Sequence, residues 1–226
     1  MTAGELRAAL RGGRFLVVEV ALALAMLVSA QIGLLPFGGT PVVVAFGALS
    51  LWLRGEGPRG VGLTRGPGWR PILLIGLAAG VGYQFLSLYA VEPLTARLLG
   101  RLPDVSLFAA LKGNIQLFLF YLAISWTLAG FGEEFVFRGY LLTRISQLLG
   151  GGRRARLVGL AVTTTLFGLA HLYQGASGAI DTGLFGLLFG ILYLASGRNL
   201  WIPIIAHGAA DTTAFLLLFL GRYPGA

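Results

Sequence analysis

The feature that most limits how this chain can fold is a series of apolar runs at 15–35, 41–53, 72–91, 114–148, 157–173, 182–197 and 201–220. A helix needs about 17 to 25 such residues to cross a hydrocarbon core. Hydrophobic residues make up 56% of the 226 positions and charged residues 12%, with a mean hydropathy of +0.82, so an ordinary soluble domain is excluded. Lipid offers the backbone no hydrogen bonds, so the spanning elements are helices. The expectation is an all-α, polytopic membrane bundle of seven or eight transmembrane helices, forming a single transmembrane domain over 1–226. The count turns on 114–148, which is either one tilted helix or two segments broken near Gly130 and Gly132. Glycines recur inside the runs, as at Gly76, Gly80 and Gly82 or Gly183, Gly186 and Gly190, where small residues let helices approach closely.

A net charge of +8 would suggest nucleic-acid binding in a soluble chain, but here the arginines lie between the apolar runs. Seven crossings place Arg7, Arg11, Arg14, Arg54, Arg59, Arg65, Arg70, Arg153, Arg154, Arg156 and Arg198 on one side. The other side holds Arg97, Arg101, Lys112 and Arg222. The positive-inside rule then predicts a multi-pass protein of a bacterial-type plasma membrane with its N-terminus in the cytoplasm, and no nucleic-acid partner. Val28-Ser29-Ala30 would serve as a signal-peptide cleavage site, but the run continues past it, so an uncleaved first helix is expected. Glu19 has no evident partner and is expected to face the headgroup region. The absence of cysteine excludes disulfides, thiol catalysis and Cys-based metal sites.

Of the nine acidic residues, Glu5, Glu56, Glu92, Asp104 and Asp181 read as lying at segment ends or in loops. Glu133, Glu134 and Asp211 instead fall within apolar stretches, as do the only two histidines, His171 and His207. Ionisable groups in a membrane interior are costly and mark functional cavities by default. Glu134 and Arg138 are four apart on a helix and can pair, whereas Glu133 is rotated about 100° away and stays free for chemistry. His207 and Asp211 repeat the i, i+4 spacing, and so do Phe167 and His171.

Glu133-Glu134-x-x-x-Arg138, Phe167-x-x-x-His171 and His207-x-x-x-Asp211 resemble the three motifs of the CPBP intramembrane proteases. That family, also called Abi, includes type II CAAX prenyl endopeptidases and bacteriocin-processing and self-immunity proteins. The resemblance covers a catalytic region at 115–220, with the first hundred residues contributing only membrane helices. It implies an endopeptidase in which Glu133 activates water held beside His171. Glu134, Arg138 and Phe167 are then supporting residues, and His207 and Asp211 complete the catalytic set. The third motif often ends in Asn; a carboxylate here fits better with Asp211 orienting His207 or holding it charged, and His207 would stabilise the oxyanion. The expected substrate is a peptide or membrane protein, reached laterally from lipid or from the cytoplasmic surface.

No cofactor is required on this reading. Three rival readings use residues of the same chain. In one, Glu133, His171 and His207 form a His₂Glu zinc set. In another, Gly175-Ala176-Ser177-Gly178 resembles the box of rhomboid serine proteases, with Ser177 as nucleophile and His207 as its partner. In the third, the chain is a non-catalytic membrane scaffold or immunity protein that binds a peptide in the same cavity.

Overall fold

The computed structural model describes residues 4, 5, 10, 12–66 and 68–224, except for the side chain of Phe37. Arg7 and Arg11, counted above for topology, lie outside the described residues. Among the described residues the main helices are α1 (Gly13–Gln31), α2 (Thr40–Arg54), α3 (Trp69–Leu99), α4 (Ile115–Leu148), α5 (Gly152–Ala170), α6 (Gly175–Ala195) and α7 (Trp201–Phe219). Five helical stretches are long and apolar enough to cross a membrane: α1, α3, α4, Leu172–Ala195 and α7. Helix α2 is apolar but only 15 residues long. Helix α5 opens on Arg153, Arg154 and Arg156, which lowers its apolar character. The chain is a multi-pass membrane protein.

The 114–148 stretch forms one continuous helix of 34 residues, so the chain does not break at Gly130 and Gly132. At about 1.5 Å per residue it is roughly 50 Å long and must tilt or project from the bilayer. Its middle is widened into π-helical turns at Ser125–Glu133 and Phe135–Leu141. Such turns are rare and concentrate at functional sites. A second π segment, Ser87–Val91, precedes Pro93 in α3, where a missing N–H removes an ordinary helical bond. Asn114 caps the start of α4 by accepting from the Leu117 amide at 3.1 Å.

Helix α4 is the centre of the bundle. Its residues 134–146 are all buried, packed mainly against α1, α2 and α5, while the preceding Ser125–Glu133 segment packs on α7. Glycine lets α3 and α6 close around it. A Cβ on Gly80 would lie 2.0 Å from the Ala206 carbonyl oxygen of α7, and one on Gly190 would lie 2.2 Å from Leu160 of α5. Gly82, expected to pack in the same way, faces open space.

Glu19 corrects the sequence reading: it is 8% exposed and sits inside the bundle. Its carboxylate accepts from Ser50 and Arg54 of α2, from Tyr140 Oη at 2.7 Å and from Arg144 Nε at 2.9 Å. Arg144 also reaches Glu56 at 3.0 Å. These partners lie 31 to 125 positions away in the chain, beyond the reach of local spacing. Removing one member of a buried ion network leaves the others uncompensated, at a cost of about 3 to 5 kcal/mol. Glu19→Ala should therefore lower the thermal unfolding midpoint of the detergent-solubilised protein sharply. An unchanged midpoint would show that the network is not structural.

Candidate active site

The central feature is the carboxylate of Glu134, which is 0% exposed. Its Oε1 accepts from Arg138 Nη1 at 2.8 Å, the pairing expected from the i, i+4 spacing. The same oxygen lies 2.9 Å from His207 Nδ1, a partner the sequence did not suggest because α7 is remote in the chain. Arg138 is 2% exposed, and its guanidinium lies 4.3 Å over the ring of Phe167. Glu134, Arg138 and Phe167 thus tie α4, α5 and α7 together behind the site.

Glu133 points elsewhere, as the one-residue rotation requires. Its Oε2 is buried and has no hydrogen-bond partner among the described residues. The side chain lines a polar cavity of about 280 Å³ that is also lined by His171, His207 and Asp211. All four residues expected to be catalytic therefore face one space. His171 sits at the C-terminal cap of α5, with Nδ1 2.8 Å from the Phe167 carbonyl oxygen. A proton on Nδ1 would leave Nε2 as the lone-pair nitrogen.

Asp211 sits beside His207, as the i, i+4 spacing implied, at charge-pairing rather than hydrogen-bonding distance. Its Oδ2 lies 3.7 Å from His207 Nε2, beyond hydrogen-bond distance, and accepts instead from Ser125 Oγ at 2.8 Å. Glu134, not Asp211, fixes the orientation of His207. Phe185 packs edge-on against the His207 ring, with centroids 4.7 Å apart.

The sequence missed several members of the cavity wall. Tyr83 and Gln84 of α3 line it, so the first hundred residues do more than supply membrane helices. Leu24, Leu27 and Val28 of α1 line a second, apolar cavity of about 650 Å³, and Glu133, His171 and Tyr173 belong to the walls of both cavities. Asp181 and Glu92, read as segment-end acids, are packed among the helices. Asp181 accepts from Tyr83 Oη at 2.9 Å and Ser87 Oγ at 2.8 Å. Glu92 is 2% exposed and accepts from Tyr223 Oη at 2.7 Å. Burial, and then the Glu92 carboxylate, push the Tyr223 pKa up. An isolated polar residue inside an apolar run, as at Ser125 and Gln84, was the available signal.

Two rival readings can be set against this geometry. Ser177 is 0% exposed and donates to the Arg101 carbonyl at 2.5 Å, while the His207 nitrogens face Glu134 and Asp211. Ser177 and His207 therefore do not form a nucleophile–base pair. For the zinc set, no group of three His, Asp or Glu side chains among the described residues is arranged to hold a metal ion.

The two adjacent glutamates should separate in mutagenesis. Glu134→Gln leaves the Arg138 charge buried without its carboxylate and should cost about 3 to 5 kcal/mol of stability. Glu133→Gln breaks no hydrogen bond seen here and should leave the stability within about 0.5 kcal/mol of the parent. Thermal unfolding of both variants in detergent measures the contrast, and equal losses would contradict the division of roles.

Comparison with known proteins bears on the same region. No match was found among curated proteins or among solved structures. Residues 115–213 match the family described as type II CAAX prenyl endopeptidase Rce1-like. The matched segment contains both glutamates, Arg138, Phe167, both histidines and Asp211, as the motif resemblance implied. Over that segment, less than half of the chain, the sequence is similar to the Rce1-like endopeptidases, a family of peptide-bond hydrolases.

Proposed function

We propose that the chain hydrolyses peptide bonds within the membrane by glutamate-activated water. The observation that carries this reading is Glu133 Oε2, a buried carboxylate oxygen with no partner among the described residues, on a cavity lined by both histidines. Glu133 takes a proton from water held beside His171, and the resulting hydroxide attacks the substrate carbonyl. His207 has a carboxylate near each ring nitrogen and acts as a donor to the oxyanion, an effect typically worth a few kcal/mol. Asp211, held by Ser125, supplies negative charge beside His207 rather than a donor to substrate. Collapse of the intermediate passes the proton from Glu133 to the leaving amine, so no covalent enzyme intermediate forms and no metal is used.

The substrate is a peptide or membrane protein with an apolar segment, prenylated or not, that occupies the 650 Å³ cavity beside Glu133. Removing a general base typically costs 10² to 10⁴-fold in rate. Glu133→Gln should therefore lose cleavage by about that factor while remaining folded, and uncut peptides should accumulate in membranes of cells carrying it. Ser177→Ala should cleave normally, and chelators should have no effect. Full cellular activity of the folded Glu133→Gln variant would favour the scaffold or immunity reading instead. Stoichiometric zinc with chelator-sensitive cleavage would overturn the metal-free mechanism.

Orientation bears on the substrate. The arginine-rich ends of the helices mark the cytoplasmic side on our reading, in a bacterial-type plasma membrane with the N-terminus inside. The loop-side wall of the polar cavity is formed by Val105, Phe108, Tyr173, Gln174 and Tyr223, all at the opposite ends. Access from the cytoplasmic surface, expected from the sequence, does not fit this arrangement. Lateral access from lipid or access from the far side does. The natural absence of cysteine makes the test direct. In intact cells a membrane-impermeant maleimide should label Arg222→Cys, and should label Arg154→Cys only after permeabilisation. The reverse pattern would invert the orientation.

A further inference from the structure

We propose that the chain carries a second site, for a phosphate group, at the arginine-rich ends of α4 and α5, away from the peptidase cavity. A cavity of about 220 Å³ lies there, lined by Thr143, Ser146, Gln147, Arg156 and Arg198 together with Gly151 and Gly152. Among the described residues no Asp or Glu lines it.

Each part supplies a group suited to a tetrahedral anion. Helix α5 begins at Gly152 after Gly151, with no side-chain cap and no acidic residue in its first turn. Its first amides and its dipole therefore face the cavity end without a side-chain acceptor. Arg156 Nε donates to the Gly152 carbonyl at 3.2 Å, which folds the guanidinium back toward that helix start. Arg198 is anchored from the other side, its Nη2 donating to Gly60 O at 3.0 Å and Thr143 Oγ1 at 2.9 Å. Two guanidinium groups on one cavity suit phosphate geometry.

An independent sign comes from Ser146. This residue is 7% exposed, lines the cavity and makes no side-chain hydrogen bond among the described residues. Its hydroxyl opens onto the cavity without a protein partner and is available there to a ligand or water. The site lies at the ends of α4 and α5, beside the arginine-rich loop at 150–156. The phosphate is carried by an anionic lipid or is free in solution. General attraction of a chain of charge +8 to anionic lipid would not depend on which arginine is present, which gives the test its control.

The experiment follows thermal unfolding of the full chain in a neutral detergent during titration with phosphatidylglycerol, with inorganic phosphate, and with diacylglycerol, which has no phosphate. Phosphatidylglycerol should raise the midpoint and diacylglycerol should not. The half-saturating concentration should rise about ten-fold in Arg156→Gln and in Ser146→Val, and stay unchanged in Arg154→Gln, whose side chain is outside the cavity. An equal response to inorganic phosphate would assign the site to the free anion, and a response to the lipid alone to a headgroup. Arg156 is exposed, so its variant should fold even where Ser146→Val does not. No response to either phosphate source, or the same half-saturation in Arg156→Gln as in the parent, would overturn the proposal.

Discussion

The arrangement depends on one carboxylate oxygen. Glu134 Oε1 holds both Arg138 of its own helix and His207 of α7, at 2.8 and 2.9 Å, in a space from which lipid and water are shut out. Arg138 in turn lies over Phe167 of α5. Three helices are fixed by this cluster, and the pocket residues are fixed with them. An isolated ion in such an interior would be costly, so the cluster exists only as a fully packed unit.

The neighbouring residue shows what that unit achieves. Glu133 is one position away, on a helix whose turns are widened, and it faces the cavity that the cluster borders. Glu134 spends Oε1 on structure and lines neither cavity, whereas Glu133 lines both. The bundle repeats the division at a distance: Glu19 joins α1, α2 and α4 through Arg54, Tyr140 and Arg144, which steadies the far end of the same central helix. The close packing at Gly80 and Gly190 draws α3 and α6 in, so that Tyr83 and Phe185 complete the cavity wall.

Much of the site was legible because its pairs are local. Glu134 and Arg138 pair as helical spacing demands, and Phe167 lies against His171 for the same reason. What failed were partners from other helices. Asp211 pairs with His207 as the spacing implied, but only at 3.7 Å, and the hydrogen bonds that hold the two come from Ser125 and Glu134 of α4. Glu92 and Asp181 were read as lying at segment ends and Glu19 as facing the headgroups. Most of their donors came from segments remote in the chain.

The sequence by itself determined the solvent, the helical class, the central run at 114–148 and the set of ionisable residues that lipid would not tolerate alone. These follow from length, hydropathy and periodicity, which are local properties of a chain. The tertiary structure decided that 114–148 is one helix with π turns, which carboxylate holds which base, and that both cavities meet at Glu133 and His171. Those outcomes depend on side chains that approach from different helices, and no one-dimensional spacing records how helices are rotated against each other.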